Sequence, residues 1–205
     1  MRKEILTNKQ IELLLFIKLF KKDYYLAGGT AIALHIGHRR SIDFDLFSFN
    51  PIKRRMIKNK LIESGLEFQL RYEDSDQLHF AVNGVKLTFF HYPFKISHEN
   101  IFEDKLNLPD LLNLAAMKAY AFGMRAKWKD YVDMYFLLQD HFQLQDICEK
   151  AASIYKNAFS KKLFRQQICF FSDIDYSEQP EYLVEPVLAS EIRNFLINIA
   201  TSPIK

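Results

Sequence analysis

Asp43 and Asp45, two residues apart in Ser41-Ile42-Asp43-Phe44-Asp45-Leu46, are the residues whose type and spacing most directly suggest chemistry. On an extended strand, residues i and i+2 point to the same side about 6.5–7 Å apart, so two carboxylates there can share a hard cation such as Mg²⁺. An Asp-x-Asp pair on its own is also what an exposed strand face carries. Its weight comes from Gly28-Gly29-Thr30, just upstream, between the β-prone run Tyr24-Tyr25-Leu26-Ala27 and a helical run ending at Gly37. Backbone N–H groups at such a strand-to-helix turn, with the helix N-terminus, can cradle a phosphate. A phosphate cradle beside a metal pair suits metal-assisted phosphoryl chemistry.

Other reactive residue types argue for less. The six histidines, at positions 35, 38, 79, 91, 98 and 141, have no zinc-ligand spacing, and His38 lies nearest the acids. Cys148 and Cys169 form no CxxC pair and read as reduced core thiols. The aromatic residues, Phe89, Phe90, Tyr92, Tyr131 and Tyr135 among them, read as core rather than as a stacking platform.

The elements that must position the acids follow from periodicity. Thr7–Lys22 reads as an amphipathic helix capped by Thr7 or Asn8, and Thr30–Ile36 as a short helix capped by Thr30. Ser41–Phe49 alternates strictly, which places Ile42, Phe44 and Leu46 on one face and Asp43 and Asp45 on the other. Pro51–Ser64 reads as a basic helix ending at Gly65, followed by a strand over 66–72. Asn83-Gly84 between two alternating runs signals a β-hairpin. From Leu106 the period becomes helical, with helices expected from Asp110 to Met124, over Trp128–Leu138, over Lys150–Phe170 and over Ala189–Ala200.

The bulk properties are those of an ordinary globular protein: 205 residues, 49% hydrophobic, a formal net charge of +3 and only six Gly and six Pro. The basic-then-apolar N-terminus is interrupted by Glu12 and Lys18, and no apolar run approaches the roughly 18 residues of a membrane span. No membrane association and a cytoplasmic location are expected.

The segment LAGGTAIALHIGHRRSIDFDLFSF resembles the AbiEii toxin family of nucleotidyltransferases, within the DNA polymerase beta-like superfamily. LAAMKAYAFGMRAKWKDYVDMYFLL and the C-terminal stretch from Ile168 to Ala200 resemble the same family. The resemblance implies an α+β fold with an α/β core: a polymerase beta-like mixed sheet with flanking helices, plus a C-terminal helical region. The expected division is a nucleotidyltransferase core over 1–100 and a helical domain over 101–205. It implies a Mg²⁺- or Mn²⁺-dependent transfer of a nucleoside monophosphate from an NTP to an acceptor, with a tRNA 3′ end or other RNA favoured, and a cognate antitoxin as regulator. Asp43 and Asp45 are expected to bind the metal, and Lys118 and Asp130 to join them as catalytic residues, with Asp133 as an addition. Gly28, Gly29, Thr30, Arg40, Ser41, Lys118 and Arg125 are expected at the nucleotide, the last two sharing a helix face seven residues apart. Lys53, Arg54, Arg55, Lys58 and Lys60 offer an RNA surface.

Thr88 occupies the place on a later strand where many polymerase beta-like enzymes carry a third carboxylate, and a hydroxyl is a poor general base. Two alternatives therefore stand beside the transferase reading: a nucleotide-binding regulatory module without turnover, and a small-molecule nucleotidyltransferase of the antibiotic-modifying kind.

Overall fold

The computed structural model describes residues 1–122 and 124–203. Gly123, inside the second family-like segment, and Ile204 and Lys205, at the end of the expected helical domain, lie outside the described residues. The chain forms two compact units, Met1–Ile36 with Ser41–Asp110, and Gly37–Arg40 with Leu111–Lys205. The four residues 37–40 thus belong to the second unit although the first surrounds them in sequence.

The first unit is a mixed sheet with helices. Helix α1 (Asn8–Lys18) starts at a capping box, in which the Thr7 hydroxyl accepts from the Gln10 N–H and the Gln10 side chain accepts from the Thr7 N–H. Strand β1 (Tyr25–Ala27), helix α2 (Gly28–Ile36), strand β2 (Phe44–Ser48) and helix α3 (Arg54–Ser64) follow. Gly65, in the left-handed region at φ +67°, closes α3. Strands β3 (Phe68–Glu73), β4 (Gln77–Val82) and β5 (Val85–His91) complete a five-stranded sheet in the order β1-β2-β5-β4-β3. Only the β2–β5 pairing is parallel. Asn83 and Gly84, both at positive φ, make the expected two-residue turn.

One face of this sheet is the core, with Phe44, Leu46, Leu78, Phe80, Leu87 and Phe89 all buried. The Phe20 ring packs edge-on against Phe89, 4.9 Å between centroids, and Ile57 and Leu61 of α3 are buried as well. The opposite face carries Asp45 and Phe47 of β2, both half-buried. A short hairpin, β6 (Asn100–Phe102) and β7 (Leu106–Leu108), ends the unit.

The second unit is helical: α4 (Leu111–Ala121), α5 (Trp128–Asp140), α6 (Leu144–Tyr155), α7 (Lys161–Ile168) and α8 (Ala189–Thr201). Its core is aromatic, with Tyr131 against Phe122 and Trp128, and Tyr135 against Phe195.

Five expectations are corrected. Helix α2 begins at Gly28, so Thr30 lies inside its first turn and does not cap it. Strand β2 begins only at Phe44, where pairing with β1 and β5 starts, and Ile42 is 53% exposed instead of facing the core. Leu106–Leu108 is a strand, because its alternate leucines are buried by pairing with β6. The helix expected over Lys150–Phe170 is two: α6 ends where Lys156 turns to φ +50°, and α7 restarts with the Ser160 hydroxyl accepting from the Leu163 N–H at 3.2 Å. Helix α4 stops at Ala121, so Arg125 does not lie on the same helix face as Lys118.

Candidate active site

In the first unit the acids are set by a short loop and the helix behind it. Thr30, buried in α2, brings its hydroxyl to both Ser41 Oγ, at 2.8 Å, and the Asp43 carbonyl oxygen. A carbonyl can only accept, so the single Thr30 proton goes to Asp43 and the Ser41 hydroxyl donates to Thr30. The Ser41 carbonyl in turn accepts from Gln10 Nε2 at 2.9 Å. The same Gln10 amide thus caps α1 with its oxygen and holds the loop with its nitrogen. Residues 41–43 are pinned from both sides by buried polar groups, and Asp43 enters β2 from this pinned loop rather than by strand alternation.

Asp45 lies within β2, level with Ala27 on one side and Thr88 on the other. The turn between β1 and α2 passes close to its carboxylate: a Cβ built on Gly28, whose φ is +69°, would stand 2.6 Å from Asp45 Oδ2. Only glycine supplies both that dihedral and that approach. Asp45 makes no ion pair among the described residues. No group of three or more His, Cys, Asp or Glu side chains suited to a metal occurs among them either. A carboxylate beside a glycine turn, with a second acid two residues before it, is a hard-oxygen donor set of the kind Mg²⁺ accepts, since that ion commonly takes one or two protein carboxylates and fills its shell with waters and substrate phosphates. Thr88 does sit in register with Asp45, and its hydroxyl is buried without a hydrogen-bond partner.

The second unit holds a different charged centre. Lys118 Nζ reaches Asp130 Oδ1 at 2.6 Å and Asp133 Oδ2 at 2.7 Å, with all three side chains buried. Arg125 adds two bonds to Asp130, at 2.9 and 3.1 Å, so it meets Lys118 through a shared carboxylate. Arg39 binds Asp133 in the two-pronged manner, Nε to Oδ1 at 2.7 Å and Nη2 to Oδ2 at 2.9 Å. His38 Nε2 lies 2.7 Å from the same Oδ1.

The cations surrounding Asp133, which is fully buried, hold its carboxyl well below the usual carboxylate range despite that burial. Asp130 is lowered likewise by Lys118 and Arg125. His38 is pushed down, chiefly by burial and further by Arg39 and Lys118. Three cations already face two carboxylates, so a fourth positive charge is disfavoured, and neutral His38 donates its Nε2–H to Asp133.

Of the residues singled out from sequence, Gly28, Gly29, Thr30, Ser41, Asp43 and Asp45 belong to the first unit. Arg40, Lys118, Arg125, Asp130 and Asp133 belong to the second. Arg40 Nε donates to Glu181 Oε1 at 2.8 Å. Lys118 uses two of its three ammonium donors on Asp130 and Asp133. The basic helix α3 spends much of its charge locally, Lys53 on Asp23 and Arg54 and Lys58 on Glu73.

Sequence reading missed Gln10, His38 and Arg39. Gln10 carries a signal as the N3 residue of a capping box, but its second bond is tertiary. Arg39 next to Arg40 gives no sign of which arginine is buried.

A five-stranded mixed sheet, with Asp45 on its second strand and a glycine turn against it, is the core of a nucleotidyltransferase fold, and solved structures agree. A candidate nucleotidyltransferase from Helicobacter pylori superposes with TM-score 0.57 at 17% identity, covering 95% of this chain and 94% of its own. The JHP933 protein of Helicobacter pylori gives 0.55 at 17% identity over 95% and 91%. The nucleotidyltransferase toxin MenT4 of Mycobacterium tuberculosis H37Rv gives 0.55 at 13% identity over 94% and 83%. The uncharacterized protein aq_aa25 of Aquifex aeolicus is 30% identical over 156 residues, 74% of this chain and 75% of that one. The family described as nucleotidyl transferase AbiEii toxin, type IV toxin–antitoxin system, matches residues 14–203. The chain belongs to this AbiEii family and is a nucleotidyltransferase.

Proposed function

We propose that this nucleotidyltransferase transfers a nucleoside monophosphate from an NTP to a hydroxyl of RNA, with a tRNA 3′ end as the favoured acceptor. It acts in the cytoplasm as the toxin of a pair whose cognate antitoxin restrains it. The observation that supports the reading is the Gly28 turn packed against the Asp45 carboxylate, with Asp43 in the pinned loop two residues before it. Asp43 and Asp45 are the residues that would hold Mg²⁺ or Mn²⁺. When bound there, such an ion supplies charge neutralisation on the triphosphate and acidifies the attacking hydroxyl.

The chain's own part is orientation. The Gly28 and Gly29 amides at the start of α2 receive phosphate oxygens, an arrangement favoured by the helix N-terminus. Thr30 and Gln10 hold the loop so that Asp43 does not move when charge arrives. The acceptor oxygen attacks the α-phosphorus, the bond from that phosphorus to the bridging oxygen breaks, and pyrophosphate leaves with the electron pair. Thr88 offers no carboxylate for the acceptor's proton, so the proton goes to solvent or to the substrate's own phosphates.

The test is incubation with each α-³²P-labelled NTP, Mg²⁺ and total tRNA, beside Asp43→Ala and Asp45→Ala chains. Label entering RNA only with intact acids is the expected result. Thr88 opposite Asp45 favours one second reading, nucleotide binding without turnover. NTP binding with no label transferred to any acceptor selects that reading over the first.

A further inference from the structure

The face of the sheet that carries Asp45 has an order of its own. On β5, Lys86, Thr88 and Phe90 point to this side at successive two-residue steps, because Asp45 pairs with Thr88 and Phe47 with Phe90. Lys86 is exposed, Thr88 is 6% exposed, and Phe90 is half-buried. The line runs cation, hydroxyl, aromatic ring over four residues of strand, about 13 Å. Phe47, half-buried on β2, lies with its ring centroid 5.0 Å from that of Phe90 and tilted 37° to it. Tyr25 of β1, level with Phe47, borders the rings at 6.1 Å.

Two hydroxyls on this face, Thr88 Oγ1 and Tyr25 OH, are buried without a hydrogen-bond partner among the described residues. Buried polar groups are nearly always satisfied, and a bound polar ligand is one way to satisfy them. Tyr25 is 3% exposed, so neither hydroxyl is left to bulk water.

The two sides of Asp45 are chemically distinct. Ala27 and the Gly28 turn flank it on the β1 side, Thr88 on the β5 side. In-line transfer requires the leaving phosphates and the attacking oxygen on opposite sides of the phosphorus. With the triphosphate at the glycine turn, as proposed above, the Thr88 side is left for the acceptor. A 3′-terminal nucleotide presents phosphate, sugar hydroxyls and base in the order in which β5 presents cation, hydroxyl and ring. Single-stranded nucleic acid is commonly held by this combination of backbone cations and stacking aromatics.

We propose that Lys86, Thr88 and Phe90, with Phe47 beside them, form the acceptor subsite. They take the terminal nucleotide of a single-stranded RNA 3′ end, its base stacked on Phe47 and Phe90 and its 5′ phosphate at Lys86. The inference rests on the RNA-transfer reading and narrows it. The recognised unit is an unpaired terminal nucleoside, not a protein hydroxyl, and the recognising residues belong to the first unit alone.

The test is binding, measured without NTP so that no transfer intervenes. A fluorescein-labelled single-stranded RNA is compared with the same RNA made abasic at its 3′-terminal nucleotide, on the full chain, by anisotropy. The expected result is binding of the intact RNA roughly 5- to 100-fold tighter than the abasic one. Phe90→Leu and Phe47→Leu, which keep the apolar volume, should shrink that ratio toward one. Lys86→Gln, at an exposed position, should weaken both RNAs alike and lower the salt dependence by about one counterion. Equal binding of intact and abasic RNA to the unmodified chain overturns the subsite, whether or not any variant folds. The label-transfer assay separates the two ideas: base-dependent binding with no transfer retires the transferase reading, and transfer without base dependence retires the subsite.

Discussion

The second unit holds a pair of carboxylates, Asp130 and Asp133, that it treats unlike Asp45 of the first. In the second unit Asp130 and Asp133 are buried and receive hydrogen bonds from Lys118, Arg125, Arg39 and His38. Each of the four carboxylate oxygens accepts at least one hydrogen bond from within the protein. In the first unit Asp45 is half-buried and has no ion pair among the described residues, and its carboxylate packs where a Cβ on Gly28 would stand. A carboxylate whose charge is balanced internally contributes to the fold, whereas one without such balance is prepared for a cation from outside. The Thr30 hydroxyl holds the Asp43 carbonyl and Gln10 holds the Ser41 carbonyl, so the backbone leading into β2 is fixed.

The largest effect expected from this contrast is in the second unit. Asp133→Asn keeps the shape but leaves Arg39 and Lys118 short of a buried counter-charge, which costs about 3–5 kcal/mol. At about 2–4 °C per kcal/mol for a chain of this size, a thermal melt should fall by roughly 6–20 °C. A melt within a degree or two of the unmodified chain would break the comparison.

Asp45→Asn is the reverse case. Transfer should fall about 10²- to 10³-fold, the scale on which charge-stabilising groups act in active sites. The melt should change by less than about 1 kcal/mol, as for partly exposed sites without partners. A large stability loss here would mean that the acid is balanced internally after all.

Gly28→Ala sharpens the same point. The φ of +69° is strained for alanine by about 1–2 kcal/mol, and the new methyl would displace the Asp45 carboxylate. Lower stability together with a loss of transfer is expected. Comparing it with Gly65→Ala, where φ is +67° but nothing lies within 4 Å, isolates the contact from the strain. Equal transfer by the two variants would show that the approach to Asp45 is not needed.

The smallest effect is acidic. His38 is held neutral, its folded value below the ordinary 6.5, so as pH falls through about 6.5 the unfolded chain takes up a proton first and stability declines. His35 and His79 are lowered by burial in the same direction, so the contribution of His38 is read as the difference from a His38→Asn chain. Asp133 acts further down: its stabilisation is present above the unfolded carboxylate range, near 4, and is lost as pH falls through its depressed folded value. Urea midpoints from pH 7.5 down to about 2 should show the His38 phase and then the Asp133 phase, and identical profiles for the two chains between pH 7 and 5 would remove His38 from the account.

By itself, the sequence determined most of the kinds of element in the first unit and the family to which the chain belongs. Period-two alternation, Asn83-Gly84, the Thr7 cap and the Gly28-Gly29 turn are local signals, since each depends on dihedrals or contacts within a few residues. The Asp-x-Asp spacing was legible for the same reason, but its placement was not, since Asp43 lies outside β2. Where long-range pairing competes with local pattern, the outcome belonged to the tertiary structure. Leu106–Leu108 became a strand through β6, Ile42 was left outside the ladder, and Thr30 gave up capping to bind Ser41 and Asp43. Tertiary structure alone also decided which charges were spent. Lys118 and Arg125 look alike from a helical repeat, and Arg39 like Arg40, yet burial against Asp130 and Asp133 made some of them internal counter-ions. The physical reason is that the cost of a buried charge depends on every partner within a few ångströms, and those partners come from residues nearly a hundred positions apart.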